Sequence, residues 1–246
     1  MKPVKTPLAR GRLLEIAAHI FATEGAGALT VRRLAQDLGT STMSLYTHFS
    51  GKDQLIEATA DEFVVRFADA LRSVPLTDDP LFDFVCMSHR YRSVSLEHRD
   101  LYRVALVSGR LSIAQDTPRG MKGMFDYCVG SVARCRDAGV LKVLDARQGL
   151  TIFWTAVHGQ VTLEMERVFP SPRSGLRAWE KCLAALLVGQ GAQRVQVDAV
   201  MARARRTATS AHAAAELVTS LTADAKRADP RRKLSKGTTA PKGGHR

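Results

Sequence analysis

The sequence is short of the features that mark membrane-spanning, zinc-binding and disulfide-rich proteins. No apolar run approaches the roughly 18 residues that a membrane-spanning helix needs, and we therefore expect no membrane partner. The basic N-terminus continues into a charged helical pattern without the apolar segment found in signal peptides. We therefore expect a cytoplasmic protein.

Cysteine is scarce and widely spaced. The four cysteines, Cys86, Cys128, Cys135 and Cys182, include no C-x-x-C pair, which suits neither a zinc site nor a disulfide framework. Cys128 and Cys135 lie seven residues apart and can share one helix face, either as buried thiols or as a redox pair. We expect buried thiols, and we expect neither a metal nor a cofactor.

Signals for β-structure are also missing. No segment alternates convincingly between apolar and polar residues, and no Gly-rich turn of the strand-to-helix type is present. Apolar residues recur instead at intervals of three and four, which predicts an all-α protein. Thr30 is placed to cap a short second helix that Gly39 ends. Ser50 to Asp53 has the form of a capping box for a longer helix.

These patterns divide the chain into three regions. Residues 9–74 form a first domain, and the segment VPLTDDP follows as a junction in which Asp79 and Pro80 start a new helix. Residues 79–193 form a second, helical domain. Residues 203–246 hold too little apolar surface to order themselves and are predicted to be a basic tail that is disordered or only transiently helical.

The positive charge is concentrated at the two ends. The net charge is +12, from 36 basic and 24 acidic residues, and residues 203–246 alone hold 11 basic and 3 acidic ones. Residues 1–12 add four basic residues and no acidic one, so the body between them is near neutral. This balance favours a polyanionic partner. The tail either adds sequence-independent affinity for nucleic acid or is a solvated extension.

The segment GTSTMSLYTHF, residues 39–49, has the length of a helix but the composition of a surface. Leu45 and Phe49 are spaced to face the core of a helix-turn-helix, and Gly39 allows positive φ in its turn. The remaining residues are predicted to face outward: Thr40, Ser41, Thr42, Met43, Ser44, Tyr46, Thr47 and His48. Short hydroxyls and methyl groups suit DNA base edges. The alternative is a helical core with an ordinary polar surface.

The segment from Leu29 to Ala58 resembles the DNA-binding region of the tetracycline-repressor (TetR) family. The matching pieces are Leu29-Thr30-Val31, Leu34-Ala35, Gly39, Leu45-Tyr46-x-His48-Phe49, Lys52 and Leu55. The resemblance implies that DNA is contacted by Arg32, Thr42, Met43, Ser44, Tyr46, Thr47, His48 and Lys52. By the same resemblance, Thr42, Met43 and Ser44 lie nearest the bases, and Tyr46, His48 and Lys52 lie nearest the phosphates.

The second domain carries a weaker resemblance. Residues 151–164 resemble the Trp-His-Gly segment of one subclass of TetR-family C-terminal domains, with Trp154, His158 and Gly159 at the matching positions. The resemblance implies a helical domain that binds an effector and dimerises. The implied function is a ligand-responsive repressor that binds a palindromic operator as a homodimer and is released by a small apolar or aromatic effector.

Two further residue sets follow from the second domain. The large or soft side chains expected to contact the effector are Phe67, Met87, Tyr91, Tyr102, Met121, Met124, Phe125, Phe153, Trp154 and His158. The dimer interface is expected at Trp154, Val161, Met165, Leu176, Trp179, Leu183, Leu186 and Leu187. His158 is either a structural histidine, which we favour, or a polar contact in the pocket. Gly159 within a helix predicts a close backbone approach.

Catalysis is not expected. No acid is placed to orient His48, and no nucleophile elbow surrounds any serine. Two other classes remain as alternatives to a specific repressor. One is a non-specific nucleic-acid-binding protein that depends on its basic tails, and the other is an α-helical enzyme, which would need a cluster of acid-base groups in a pocket.

Overall fold

A computed structural model describes residues 10–25, 27–46, 49–107 and 119–207. Within these ranges every regular element is helical and no strand is present, which confirms the all-α prediction. None of the helices in the described ranges is long and apolar enough to cross a bilayer.

The N-terminal part consists of four helices. They are α1 (Arg10–Glu24), α2 (Val31–Asp37), α3 (Thr42–Tyr46) and α4 (Lys52–Arg72). The second and third form the predicted helix-turn-helix, and the 21-residue α4 packs against α1. The short α2 and α3 each bury only one or two side chains, so their position depends on the turns and caps around them.

The turns of the helix-turn-helix follow the local rules read from the sequence. The Thr30 hydroxyl accepts a hydrogen bond from the Arg33 N–H at 3.1 Å and caps α2, as predicted. Gly39 has a φ of 62°, the left-handed conformation that glycine adopts most readily. The Arg33 guanidinium also pairs with Glu24 and Asp37, which ties α2 to the end of α1.

The start of α4 differs from the prediction. The N-cap is Gly51, which offers no side-chain oxygen, and the capping box from Ser50 to Asp53 does not form. The Ser50 N–H instead donates to Oε1 of Gln54 at 2.5 Å. Because the cap lies one residue later than expected, Gln54 occupies the third helical position and its amide takes the place assigned to Asp53.

The second part of the chain contains five further α-helices between Pro80 and Gly189 in the described residues. They are α5 (Pro80–Glu97), α6 (Arg99–Tyr102), α7 (Arg119–Asp137), α8 (Ala146–Met165) and α9 (Pro172–Gly189), with a π-helical segment (Arg103–Val107) directly after α6. The Asp79 carboxylate accepts from the Phe82 N–H at 3.0 Å, so the predicted start of α5 is confirmed.

Residues 194–207 are also helical. Residues 203–207 of this helix belong to the tail that we predicted to be disordered or only transiently helical; the rest of that tail lies outside the described residues. The described residues up to Met201 form one compact unit, and residues 202–207 belong to a second.

The long helix α4 connects the helix-turn-helix with the second set of helices. It packs against α1 on one side and against α5 and α7 on the other. The Arg66 guanidinium on α4 pairs with Glu15 on α1 at 2.7 Å, and the Phe63 ring contacts the edge of Tyr102 on α6. Because α5, α6 and α7 each contact α4 directly, a movement of any of them can shift α4.

Candidate nucleic-acid interface and core cavity

The third helix displays most of its side chains to solvent. Leu45 is 2% exposed and Phe49 is also buried, so these two hold the segment against the core, as expected. Met43 is 73% exposed and Tyr46 is 55% exposed. This helix of five residues therefore buries one leucine and leaves a methionine and a tyrosine accessible to a partner.

The other residues proposed for DNA contact lie on or beside the same segment. Arg32, Ser41 and Thr42 are exposed, whereas Thr40, Ser44 and Lys52 are partly buried. Thr47 and His48 lie outside the described residues. The structure contains no nucleic acid, so contact with DNA remains a prediction for all ten residues.

Ser41 also has a structural role that the sequence analysis did not assign. Its hydroxyl oxygen accepts a hydrogen bond from the Ser44 N–H at 3.2 Å, which is the geometry of an N-terminal cap for α3. A serine three residues before the amide that it caps is a recognisable signal. Ser41 therefore helps to form the helix on which Thr42 and Met43 are displayed.

A small cavity lies in the core of the second part of the chain. Its volume is about 50 Å³, and its lining comes from α4, α5, α7 and α8. Eight of the ten predicted effector residues line it: Phe67, Met87, Tyr91, Met121, Met124, Phe125, Phe153 and Trp154. The cavity holds little more than a water molecule or two in this conformation, since a water occupies about 30 Å³ of liquid volume.

Six further residues line this cavity that the predicted effector set omits: Leu71, Phe84, Ser88, Cys128, Leu150 and Val157. Helical spacing carried a signal for most of them. Leu150 and Val157 share a face of α8 with Phe153, and Ser88 lies three residues before Tyr91 on α5.

The cavity is lined by soft, adaptable side chains. Met87, Met121, Met124 and Cys128 supply three thioethers and a thiol. Methionine side chains change shape at low cost because they are unbranched. Burial raises the pKa of Cys128 to about 12, so the thiol stays protonated and unreactive at neutral pH. The same effect raises the pKa of Cys135 to about 12. All four cysteines lie within the described residues, and none of them forms a disulfide.

Tyr102 and His158 do not line the cavity. They form a hydrogen-bonded chain behind it, in which the Tyr102 hydroxyl lies 3.2 Å from the Tyr91 hydroxyl and 2.5 Å from Nδ1 of His158. Burial lowers the pKa of His158, which favours a neutral ring. Nδ1 of that ring can accept a hydrogen bond from the Tyr102 hydroxyl. This placement supports the structural role that we favoured for His158.

Most of the residues predicted for the dimer interface on α8 and α9 are buried within the chain itself. Trp179, Leu183 and Leu187 are buried within the single chain, and so are Val161 and Met165 on α8. These five residues form the core of one chain, which corrects their assignment to an interface. Amphipathic spacing predicts that an apolar helix face is buried, but it does not show whether the same chain or a partner covers that face. Trp154, Leu176 and Leu186 are partly exposed and remain available to a partner.

Gly159 also differs from expectation. It faces solvent, and a Cβ built at this position would meet no atom of the described residues within 4 Å, so no described backbone of the same chain approaches it closely. Ile152 and Leu163 on the same helix are exposed as well. Residues 152, 159 and 163 fall on one face of α8, because they are spaced by seven and four residues.

No group of three His, Cys, Asp or Glu side chains in the described ranges is arranged to hold a metal ion.

Comparison with known proteins identifies relatives for both parts of the chain. The family model described as bacterial regulatory proteins, tetR family, matches residues 13–59. The model described as tetracyclin repressor-like, C-terminal domain, matches residues 84–186. The second match contains Trp154, His158 and Gly159; the Trp-His-Gly subclass itself stays a prediction.

Among individual proteins, the chain is 31% identical over 128 residues to the HTH-type transcriptional repressor KstR2 of Mycobacterium tuberculosis. That match covers 47% of this chain and 62% of the relative, so the chain spans less than two thirds of that protein's length.

Two solved structures share the fold. The fatty acid degradation regulator FadR from Bacillus halodurans has a TM-score of 0.64 at 17% identity, covering 77% of this chain and all of that one. The ketosteroid transcriptional regulator KstR2 of M. tuberculosis has a TM-score of 0.52 at 21% identity, covering 75% of this chain and 96% of that one.

The fold, the exposed third helix and the two family matches agree. The first match runs from α1 to the start of α4 and the second from α5 to α9, so together they include the helix-turn-helix and most of the helices that line the core cavity. The chain therefore belongs to the TetR family, a family of bacterial regulatory proteins rather than enzymes.

Proposed function

We propose that this protein is a ligand-responsive transcriptional repressor that reads operator DNA with α3. The observation that carries the proposal is the exposure of Met43 and Tyr46 on a short helix held by Leu45. Thr42 and Met43 offer methyl groups that suit the thymine methyl, and Ser44 offers a hydroxyl to base edges. Tyr46 and Lys52 are suited to phosphates, which fix the orientation of the helix on the duplex.

We propose that the repressor acts as a homodimer on a palindromic operator. A symmetric dimer presents two recognition helices to half-sites about 34 Å, or one helical turn, apart. The exposed α8 face of Ile152, Gly159 and Leu163 supports an interface on this helix, because it is apolar and a glycine lets another backbone approach. In this proposal the α8 face takes the interface role that we had expected for Trp179, Leu183 and Leu187 on α9.

The proposed effector is small and largely apolar. The cavity lining consists almost entirely of aromatic, methionine and aliphatic side chains, with Ser88 and the Tyr91 hydroxyl as polar groups. The relative KstR2 is named a ketosteroid transcriptional regulator, and ketosteroids are largely apolar molecules. An aromatic guest needs more room than 50 Å³, since a dry cavity that binds benzene measures about 150 Å³. Binding must therefore expand the cavity.

Expansion of the cavity provides the proposed release mechanism. Phe67 and Leu71 on α4 line the cavity, and Leu55 and Ile56 at the other end of the same helix are buried. An effector that favours the expanded state shifts α4 and changes the spacing of the two recognition helices. Each half-site contact then remains possible, but both cannot form together. The shift is limited by the difference in effector affinity between the two states.

Selection of bound sequences from a random DNA pool tests the proposal. We expect enrichment of one palindrome, and we expect that preference to survive removal of residues 203–246. Binding that depends only on the basic tail would be lost equally for all sequences when the tail is removed, and it would depend steeply on salt. A pool without an enriched palindrome would contradict the proposal.

A further inference from the structure

A second, larger cleft lies away from the core cavity and shares no lining residue with it. Its volume is about 520 Å³, within the usual range of 300–1,000 Å³ for ligand pockets. It lies where the end of α5 and the start of α6 meet the connection between α8 and α9. Arginine side chains from three places in the sequence line it, and we call it the arginine cleft: Arg92, Arg99 and Arg167.

The arginine cleft carries an excess of positive charge. The Arg92 guanidinium binds the Glu164 carboxylate with two hydrogen bonds, Nε to Oε1 at 2.9 Å and Nη2 to Oε2 at 2.5 Å. Both side chains are largely buried, and their charges cancel. Arg99 and Arg167 are exposed, and neither has an acidic partner among the residues that the structure describes. Two guanidinium groups in the cleft are thus left for an anion.

The backbone of Arg167 gives an independent indication. Arg167 follows the end of α8 with a φ of 56°, in a turn closed by the Val168 N–H donating to the Leu163 carbonyl at 3.1 Å. Glycine is the usual residue at this position because the left-handed conformation disfavours a Cβ. The other described residues with positive φ are all glycine: Gly25, Gly39, Gly139 and Gly191. An arginine retained in a strained conformation points to a role for its side chain.

The cleft also offers apolar surface beside its charge. Leu96, Met165 and Phe169 contribute to its walls. Guanidinium groups bind carboxylates and phosphates through paired N–H donors. We propose that the arginine cleft binds a small organic anion, a carboxylate or a phosphate monoester, whose apolar body packs on these walls. The site is separate from the proposed effector cavity, and its ligand contacts α6 and the α8–α9 connection.

Calorimetric titration of the full-length protein tests this site without DNA. The probes are phenyl phosphate and benzoate as anions with an apolar body, inorganic phosphate without that body, and phenol as a neutral control. We expect phenyl phosphate, benzoate or both to bind more tightly than inorganic phosphate and phenol. Comparison of the two organic anions distinguishes a phosphate site from a carboxylate site.

Three variants, each lacking one positive charge, locate the binding. Arg167→Gly and Arg99→Gln should each weaken binding of the preferred anion on the order of tenfold, the loss expected for one charge-assisted hydrogen bond. Arg194→Gln removes an exposed arginine outside the cleft and should leave the affinity unchanged. Arg167→Gly should also keep or raise the thermal stability, because glycine relieves the left-handed backbone.

Several outcomes would overturn the assignment. Wild-type affinity in both Arg167→Gly and Arg99→Gln would do so, as would an equal loss in Arg194→Gln, which would indicate general attraction to a basic protein. Absence of binding for every anionic probe would do the same. None of these results bears on operator binding by α3, so the DNA-binding proposal stands or fails separately.

Discussion

The helices α3 and α9 use their apolar residues in opposite ways. On the five-residue α3 only Leu45 is buried, and Met43 and Tyr46 are left in solvent. On the 18-residue α9 the large side chains of Trp179 and Leu183 are buried within the chain. The comparison teaches that the spacing of apolar residues in a sequence does not show what the resulting helix face packs against. On α3 the exposed residues are the ones proposed to contact DNA, and on α9 three of the predicted interface residues, Trp179, Leu183 and Leu187, are core.

Trp179→Ala should give the largest effect. Removing a tryptophan that is 1% exposed leaves a cavity in the core, and we expect a loss of about 3–5 kcal/mol in the free energy of unfolding. Urea denaturation at several protein concentrations measures it, with Leu144→Ala, at a side chain that is 99% exposed, as the control. If the loss of stability came only from weaker dimerisation, and so depended on protein concentration, Trp179 would belong to the dimer interface after all.

Tyr102→Phe should destabilise the core without affecting the DNA-binding surface. The change removes a buried hydroxyl that contacts Tyr91 and His158, and an unsatisfied buried partner costs about 2 kcal/mol. The free energy of unfolding should fall by about that amount, while operator affinity without effector stays at the wild-type value. An unchanged stability would mean that the hydrogen-bonded chain does not support the fold.

Tyr46→Phe makes the same chemical change on the exposed helix and should give the reverse result. Operator affinity should fall about tenfold, or about 1.4 kcal/mol, through loss of a hydrogen bond to a phosphate. The free energy of unfolding should stay unchanged, because the hydroxyl stands on a side chain that is 55% exposed. Fluorescence anisotropy with the selected operator measures the affinity, and Thr42→Ala should change the base preference instead. Wild-type binding in both variants would exclude α3 as the reader.

The smallest effect should be the pH dependence that His158 contributes. Its folded-state pKa is lowered by burial from the ordinary 6.5, so the unfolded chain takes up the proton first as the pH falls. Stability from this group is therefore complete above pH 6.5 and declines below it until the folded-state pKa is reached. Thermal unfolding between pH 5 and 8 should show a shallower acid-side decline in His158→Gln than in the wild type. Identical slopes would argue against the neutral, buried ring.

Local features were predictable from the sequence where the physics is local. Thr30 and Asp79 cap their helices and Gly39 adopts positive φ, because each depends only on neighbouring backbone groups. The capping box from Ser50 failed for an equally local reason. Gly51 takes the cap position itself, which moves every following residue one place along the helix start.

The core cavity was only partly predictable. Size and softness of side chains identified residues such as Met87 and Phe153 as part of its lining. The same criteria also included Tyr102 and His158, which lie behind the lining in a hydrogen-bonded chain. Which of two buried residues faces an empty space depends on how the helices cross, and that angle is set by all their contacts together.

The sequence by itself determined the all-α architecture, the family and the exposure of Met43 and Tyr46 beside the buried Leu45, because periodicity, capping and turn chemistry act over a few residues. Tertiary structure alone decided that Trp179 is core and that Gly159 is exposed. It also brought Arg99 on α6 and Arg167 in the α8–α9 connection into one cleft. Burial and proximity of this kind depend on contacts between residues far apart in the chain, which no local pattern encodes.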